Sequence, residues 1–336
     1  MHKSVLYIGN NLLKKTNYIT TIDSLSNLLV GAGFKIYKSS SFENKVFRIV
    51  DMCLSVIRYH KKVNYVLIDT YSTSNFYYTL FSSQICRLFN LKYIPILHGG
   101  NLPNRLINNP FLSYLIFNNS FINVAPSEYL KNAFESHKFN VLYIPNVIPI
   151  SKYNFKKRLN LSPKLLYVRS FANIYNPAMA IEVLNLLKKE YSNACLCMIG
   201  PFKDDSIINV KDLIKKYNLE NDVEITGVLT KKEWHKKSED YDIFINTTNI
   251  DNTPVSVIEA MALGLIVVST NVGGIPYLVN DKKEGVLVDK NDTIMMNKEI
   301  IKIVENNNFT YAIEARKKAE GFDENIIVKK WESLLD

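Results

Sequence analysis

The residues best suited to chemistry lie between Asp251 and Gly264, a segment that reads DNTPVSVIEAMALG. Pro254 suits the first turn of a helix and Gly264 suits its end, so the segment predicts a helix that opens directly after a strand. The start of such a helix offers free backbone N–H groups and positive potential to a phosphate. Glu259 lies inside this apolar helix, where a carboxylate needs donors. Sugar hydroxyls would serve, and a structural salt bridge or an exposed position would explain it equally well.

A second loop follows the next apolar run and reads STNVGGIP over residues 269–276. Its adjacent glycines, Gly273 and Gly274, would let the backbone approach a ligand closely before a helix that Pro276 helps to start. An ordinary strand-to-helix connection would have a similar sequence.

Short apolar runs alternate with helical patterns along the first half of the chain. Such alternation is typical of a parallel sheet that is covered by helices on both faces. The predicted strands are 5–8, 65–68 and 93–97, and the predicted helices are 22–32, 47–59 and 76–89. Ligands of these sheets bind at the carboxyl ends of strands, which is where Gly9 and His98 lie.

The alternation pauses around Tyr143–Asn146 and restarts at Leu165–Val168, which places a domain boundary between them. In the second half the predicted strands are 165–168, 194–199, 223–226, 243–246 and 265–268, and the predicted helices include 176–190, 210–217 and 231–238. We therefore predict an α/β protein with doubly wound domains at residues 1–150 and 151–320, followed by a C-terminal helical segment, 321–336.

The positive charge of the chain is unevenly distributed. The formal net charge is +9, and residues 1–150 hold 15 Lys or Arg against 6 Asp or Glu, whereas the remainder holds 26 of each sign. The first half should therefore face an anionic partner, for which nucleic acid, an acidic membrane surface and a charged acceptor are all candidates. A solvated lysine-rich surface is the alternative that involves no partner.

Cysteine and carboxylate patterns argue against a metal or a disulfide framework. The four cysteines, Cys53, Cys86, Cys195 and Cys197, form no CxxC pair. The triplet Asp240-Tyr241-Asp242 has metal-ligand spacing but leads into the amino end of a strand, the wrong edge for a ligand. We predict no metal and no other cofactor. The early apolar run is too short for a signal peptide, and the chain contains no run of 18 apolar residues, so we expect a cytoplasmic protein, in part peripheral on the inner face of the membrane.

With these motifs, the second half resembles the donor domain of the family 4 glycosyltransferases, which have the GT-B architecture of two Rossmann-like domains facing across a cleft. That family has two glutamates separated by seven residues, and Asp251 and Glu259 hold this spacing, with aspartate in the first place. The resemblance implies that Glu259 holds the ribose hydroxyls. It implies that Asp251 and the backbone of Thr253, Pro254 and Val255 contact the donor sugar and diphosphate. The Gly-Gly-Ile-Pro loop of the family corresponds to 273–276, and its last helix crosses back to the first domain.

The same resemblance assigns the cations of the donor site. Arg169, at the end of a strand, matches the family arginine that neutralises the diphosphate. The lysine that follows it in the family is missing from residues 170–177, which read SFANIYNP. Two alternatives follow: Arg169 acts with the helix termini alone, or Lys203, in the sequence GPFK, supplies the second cation.

In the first domain, His98 would touch the donor sugar near the reacting carbon, and Gly9 would approach the diphosphate or acceptor. Asn10, Gly99 and Gly100 would lie on the acceptor side. Ser127 and Glu128 match another family position, although Ser127 is equally well explained as a helix N-cap.

The resemblance implies a retaining hexosyl transfer from a nucleotide-sugar to a hydroxyl of a glycan or lipid-linked acceptor, in cell-surface polysaccharide synthesis. Arg169, Asp251 and His98 would act at the reaction centre. A GT-B epimerase would share the fold. A basic nucleic-acid-binding protein is the non-enzymatic alternative, but the lysines are scattered and do not interleave with aromatics at a groove, so we predict no nucleic-acid partner.

Overall fold

The computed structural model describes residues 3–10, 21–42 and 44–336. The chain divides into two compact units. The first comprises Met1–Val147 together with Phe322–Asp336, and the second comprises Ile148–Gly321. The division after Val147 lies close to the predicted boundary at residue 150, and the chain returns to the first unit at Phe322.

Each unit is built on six strands. In the first unit these are β1 (Ser4–Ile8), β2 (Lys35–Ser39), β3 (Tyr65–Thr70), β4 (Lys92–Leu97), β5 (Asn123–Ala125) and β6 (Val141–Tyr143). In the second they are β7 (Lys164–Val168), β8 (Cys195–Ile199), β9 (Val223–Gly227), β10 (Ile243–Asn246), β11 (Ile266–Thr270) and β12 (Gly285–Val288).

Fourteen α-helices accompany these strands in the described chain. They are α1 (Thr21–Gly31), α2 (Lys45–Tyr59), α3 (Phe76–Leu88), α4 (Leu102–Asn108), α5 (Pro110–Phe117), α6 (Glu128–Ser136), α7 (Pro177–Leu187), α8 (Ser206–Lys216), α9 (Lys231–Lys237), α10 (Val255–Leu263), α11 (Ile275–Leu278), α12 (Thr293–Glu305), α13 (Thr310–Glu320) and α14 (Glu324–Leu335). None of these helices is both long enough and apolar enough to span a bilayer.

All strand pairs in the two sheets are parallel, which confirms the predicted fold class. The first sheet has the order β2-β1-β3-β4-β5-β6 and the second the order β12-β11-β10-β7-β8-β9. The second sheet thus has the Rossmann order, and its strand order reverses between β7 and β10. The first has a flavodoxin-like order that reverses between β1 and β3. Such reversals open a crevice at the carboxyl ends of the strands, where ligands bind.

The strands bury apolar side chains on both faces, as parallel sheets require. In the first sheet, α1 and α14 cover one face, where Leu29, Ile327 and Trp331 are almost fully buried. Helices α2 and α3 cover the other face with Met52 and Val56 among the buried residues. Burying each such side chain contributes roughly 1.5–3 kcal/mol relative to leaving it exposed, so the closing helix is held to the first sheet by its own apolar face.

Helix α10 begins and ends close to where its sequence predicts. Pro254 has an extended backbone and precedes the helix, which starts one residue later at Val255. Gly264 ends it in the left-handed conformation with φ +79°, and a side chain there would collide with the Lys156 carbonyl. The prediction that Gly264 terminates this helix is therefore confirmed, because only glycine fits this position without strain.

Candidate functional site

The reversal point of the second sheet brings two predicted site residues together. Arg169 follows β7 and Asp251 follows β10, and the Arg169 guanidinium forms an ion pair with the Asp251 carboxylate. The guanidinium also lies over the ring of Tyr175, 4.2 Å from its centroid. Burial opposes the charge of Arg169, but Asp251 and the neighbouring tyrosines outweigh it and raise the pKa of Arg169 above its ordinary value. Arg169 is therefore a permanent, oriented cation at this edge of the sheet.

The glycine loop after β11 has a partner that its sequence does not identify. Gly274 N–H donates to the Asp251 carbonyl at 3.0 Å. A β-carbon on Gly273 would overlap the Asp251 carbonyl oxygen, and one on Gly274 would overlap the Asn252 carbonyl oxygen. The glycines thus permit close packing against the backbone of residues 251–252, which carries Asp251. The ligand approach suggested from the sequence stays a prediction.

Glu259 is buried, with 4% of its surface exposed, one turn into α10. Its Oε1 accepts hydrogen bonds from Tyr153 Oη at 2.6 Å and from Lys231 Nζ at 2.7 Å. Burial and the neighbouring carboxylate together raise the pKa of Tyr153, so this hydroxyl stays a donor. Both bonds end on Oε1, which leaves Oε2 for a further donor. The structural salt bridge considered from the sequence is present, and it accounts for one of the two oxygens.

His235 extends this cluster on α9. Its ring lies 4.6 Å, centroid to centroid, from Tyr153 and also from Trp234. Its Nε2 is buried and meets no hydrogen-bond partner among the described residues. Burial lowers the pKa of His235; Lys231 acts in the same direction, and Glu259 opposes it. The ring is therefore neutral at physiological pH.

The start of α10 faces the same loop region. Val257 and Ile258 donate to the Pro254 carbonyl, so the turn already uses their N–H groups. The N–H groups of Val255 and Ser256 lie before the first intrahelical bonds, and in an α-helix such groups point outward along the axis. This geometry suits an anion. The diphosphate contact expected of the backbone of Thr253, Pro254 and Val255 stays a prediction.

Lys203 lies on the loop after β8, beside the loop that follows Arg169. Its backbone N–H donates to the Phe171 carbonyl at 2.9 Å, and its side chain is exposed. Gly200, before it, packs directly against the Arg169 carbonyl, where a β-carbon could not fit. The structure places Lys203 on the neighbouring loop, and its role as the second cation stays a prediction.

In the first unit a buried carboxylate holds His98. Asp69, at the end of β3 and 1% exposed, contacts His98 Nε2 at 2.9 Å and accepts a hydrogen bond from Tyr7 Oη at 2.8 Å, both through Oδ1. Burial, followed by the nearby Asp69, raises the pKa of Tyr7 well above its ordinary value, so this hydroxyl remains protonated. Because Nε2 of His98 is directed at Asp69, the other ring nitrogen, Nδ1, is left for a ligand.

The first-unit loops fit closely around this group. A β-carbon on Gly9 would lie 2.5 Å from Asp69 Oδ2, and one on Gly99 would lie 2.6 Å from the Ser72 nitrogen. The side chain of Asn10 accepts a hydrogen bond from Arg48 at 2.9 Å. Gly100 lies two residues before α4. Like His98, these residues follow strands at the carboxyl edge of the first sheet.

Two other sequence-predicted positions have structural roles. Ser127 caps α6 by accepting the Leu130 N–H at 3.1 Å, as the N-cap alternative predicts, and Glu128 is the first residue of that helix. Asp242 accepts two hydrogen bonds from Ser162 and lies 3.4 Å from Arg158. Over residues 3–10, 21–42 and 44–336, no cluster of three or more His, Cys, Asp or Glu could hold a metal ion.

Sequence reasoning missed Asp69, Tyr153, Lys231 and His235. Asp69 ends an apolar strand, and a buried acid at a carboxyl strand end is a signal that could have found it. Lys231 and His235 are four residues apart on α9, so they share a helix face. Tyr153 is 106 residues from Glu259 and gives no local signal.

Parallel sheets in two units, with charged groups at a reversal point, define the α/β class of GT-B glycosyltransferase structures. The chain is similar over 99% of its length to sucrose-phosphate synthase from Thermosynechococcus elongatus, with a TM-score of 0.81, 14% identity and 98% coverage of that chain. It is similar to Anabaena Alr3699/HepE in complex with UDP and glucose, with a TM-score of 0.79, 14% identity and 99% coverage of both chains.

The model of the family described as glycosyl transferases group 1 matches residues 151–325, just over half of the sequence. The chain belongs to this family. It is 31% identical over 147 residues to WcaL of Escherichia coli strain K12, which is named for colanic acid biosynthesis, and this match covers 41% of the chain and 35% of WcaL. It is 26% identical over 196 residues to the amylovoran biosynthesis glycosyltransferase AmsK of Erwinia amylovora, covering 55% of the chain and 48% of AmsK. The chain thus matches less than half the length of these curated relatives.

Proposed function

We propose that this protein is a retaining glycosyltransferase that moves a hexose from a nucleotide-sugar to a hydroxyl of a glycan or lipid-linked acceptor. The observation that carries the proposal is the Arg169–Asp251 pair at the reversal point of the second sheet. Asp251 lies on the loop that leads to α10 and Glu259. Family membership supports the transfer chemistry. The names of WcaL and AmsK support a role in cell-surface polysaccharide synthesis, and the UDP and glucose of the HepE complex support a UDP-hexose donor.

Both negatively and positively charged groups of the protein would hold the donor. Oε2 of Glu259 would accept bonds from the ribose hydroxyls, while Tyr153 and Lys231 hold Oε1. The N–H groups that open α10 and the Arg169 guanidinium would bind the diphosphate, with Lys203 as a further cation. Asp251, held by Arg169, would accept a hydroxyl of the sugar.

Catalysis would depend on stabilising the leaving group. When the bond between the anomeric carbon and the diphosphate oxygen breaks, that oxygen takes the electron pair and gains negative charge. Arg169 and fixed N–H groups that bind this charge more strongly in the transition state would lower the barrier. The acceptor oxygen then bonds to the same carbon, and its proton passes to the departing diphosphate oxygen. No metal or protein nucleophile takes part in this scheme.

In the first unit, His98 would contact the transferred sugar. Asp69 fixes the ring, which reduces the orientational freedom that would otherwise be lost during binding. Gly9, Asn10, Gly99 and Gly100 would contribute to the acceptor side.

A panel of nucleotide-sugars tests the donor assignment. Thermal unfolding of the protein should shift upward with at least one donor, because a ligand that binds the folded state stabilises it according to its affinity and concentration. Transfer to an acceptor, followed by NMR analysis of the anomeric configuration, should show retention. The absence of any shift would contradict the donor site, and a sugar altered without an acceptor would indicate an epimerase.

A further inference from the structure

Helix α2 exposes apolar side chains along one line. Val46, Phe47, Val50, Leu54 and Ile57 are between 43% and 68% exposed. At 3.6 residues per turn, these five positions fall within an arc of about 100°. Met52 and Val56 point to the opposite side and are fully buried. The helix is therefore apolar on its outer face as well as on its inner face, unlike an ordinary surface helix.

The two helices beside it continue this surface. Helix α2 packs against α3, and α3 packs against α5. Tyr77, Phe81 and Leu88 of α3 are exposed by 40%, 50% and 78% and lie on one side of that helix. Phe111 and Tyr114 of α5 are exposed by 70% and 54%.

The exposed apolar residues of α2, α3 and α5 all point away from the same side of the first sheet. Tyr78 and Cys86 of α3 pack with Met52 and Val56 of α2 on that side. Phe117 of α5 packs with Phe76 of α3 in the adjoining core. Because the inner positions of all three helices face the sheet, their exposed residues form an outer layer. We call this layer the apolar helix face; it comprises Val46, Phe47, Val50, Leu54, Ile57, Tyr77, Phe81, Leu88, Phe111 and Tyr114.

The charges around the apolar helix face are almost all positive. Residues 44–120 contain eight Lys or Arg and two acids, Asp51 and Asp69. Asp69 is buried against His98, and Asp51 is half-buried and accepts the Ser39 hydroxyl at 3.1 Å. Six of these cations are exposed. Lys45 begins α2, and the other five lie near the ends of α2 and α3: Arg58, Lys61, Lys62, Arg87 and Lys92.

We infer that the apolar helix face docks the first unit onto an anionic phospholipid bilayer. An outer layer of large apolar side chains gains from burial in the region between headgroups and acyl chains, and a basic rim selects anionic headgroups. The uneven charge of the sequence agrees with this partner, since a second copy of the chain would bring two basic rims together. This inference stands on the first unit alone and does not require the proposed donor chemistry.

Co-sedimentation of the full chain with vesicles tests the inference. Phosphatidylcholine vesicles that contain phosphatidylglycerol should pellet the protein at low salt, and pure phosphatidylcholine vesicles should pellet much less. Added salt should weaken binding, because screening shortens the range of the basic rim. Failure to bind the anionic vesicles at low salt would overturn the inference.

A triple substitution of the face separates apolar docking from charge alone. Phe47→Ser, Leu54→Ser and Phe81→Ser together leave the net charge unchanged and should lower the bound fraction of protein by roughly tenfold or more. Ile208→Ser on α8 of the second unit makes the same kind of change at one side chain that is 57% exposed, and it should leave binding unchanged. Thermal unfolding checks that the variants fold, and Phe47→Ser with Leu54→Ser provides a milder pair.

Two results would refute docking to lipid. The first is equal vesicle binding by the folded triple variant and the unchanged protein. The second is a dimer, seen in sedimentation equilibrium, that the triple substitution dissociates while vesicles fail to bind; that result would assign the apolar helix face to self-association.

Discussion

The two sheets use the carboxyl ends of their strands differently. At the reversal point of the second sheet, a cation and a carboxylate are paired, Arg169 with Asp251, and a second pair, Lys231 with Glu259, lies on nearby helices. At the same edge of the first sheet, a buried Asp69 holds one imidazole ring, that of His98. The second unit therefore sets paired charges at this edge, where the proposed donor would bring its own charge and hydroxyl groups. The first unit orients a single polar side chain and presents its apolar helix face to the outside.

Substitution of Arg169 should have the largest effect on catalysis, because this residue is the cation at the reversal point of the second sheet. Replacing it with alanine removes the permanent cation and leaves Asp251 without its partner. We expect kcat/KM to fall about 100-fold to 1000-fold with the active nucleotide-sugar. Arg169→Lys should lose less, because it keeps the charge but not the planar fork. Steady-state kinetics measure both, and near-normal turnover in the alanine variant would remove Arg169 from the proposed mechanism.

Variants of Glu259 and Lys231 together show whether Glu259 contacts the ligand or only forms a structural salt bridge. Glu259→Gln should reduce donor affinity roughly tenfold or more, because the amide binds ribose hydroxyls less strongly than a carboxylate does. Lys231→Met should lower the melting temperature but retain most of the donor-induced thermal shift, since Tyr153 still holds Oε1. The exposed Glu305→Gln is the matched control. A full donor response in the Glu259→Gln variant would show that this carboxylate is only structural.

Substitution of Asp69 tests whether this carboxylate acts by orienting His98 in the first unit. Asp69→Asn should lower kcat by roughly tenfold to a hundredfold, because a misplaced group near the reaction centre is costly. His98→Ala should have a similar effect, and the double variant should be little worse than either single variant if the residues act as one unit. KM for the donor should change less than kcat. Additive losses would indicate that Asp69 acts independently of His98.

The smallest expected effect is a pH dependence of stability from His235. Burial lowers its folded pKa below the ordinary value of 6.5, so the folded state favours the neutral ring. Its contribution to stability is present above pH 6.5 and is lost as pH falls towards the folded pKa. Thermal unfolding between pH 7.5 and 5 should therefore show a decrease that is smaller in His235→Phe, which keeps the ring stack. An identical pH profile in both proteins would contradict this assignment.

Local patterns predicted the elements well where a residue's role depends on its neighbours in sequence. The predicted strand at 243–246 and the glycine that ends α10 agree with the structure, because burial of short apolar runs and the left-handed conformation are local constraints. The predicted strand at 65–68 stopped one residue before Asp69, since an acid ordinarily ends an apolar run. The burial of Asp69 depends on Tyr7, which lies on β1, and on His98, which follows β4.

By itself, the sequence determined the α/β class, the position of Glu259 on an apolar helix and the concentration of positive charge in the first half. These properties follow from the order and type of residues along the chain. The tertiary structure decided the partners: Arg169 with Asp251, Glu259 with Tyr153 and Lys231, the glycines of the 273–274 loop with the 251–252 backbone, and the three outward stripes of the first unit. Partners depend on which strand ends and helices meet, and residues more than 80 positions apart in the chain meet only when the sheets form.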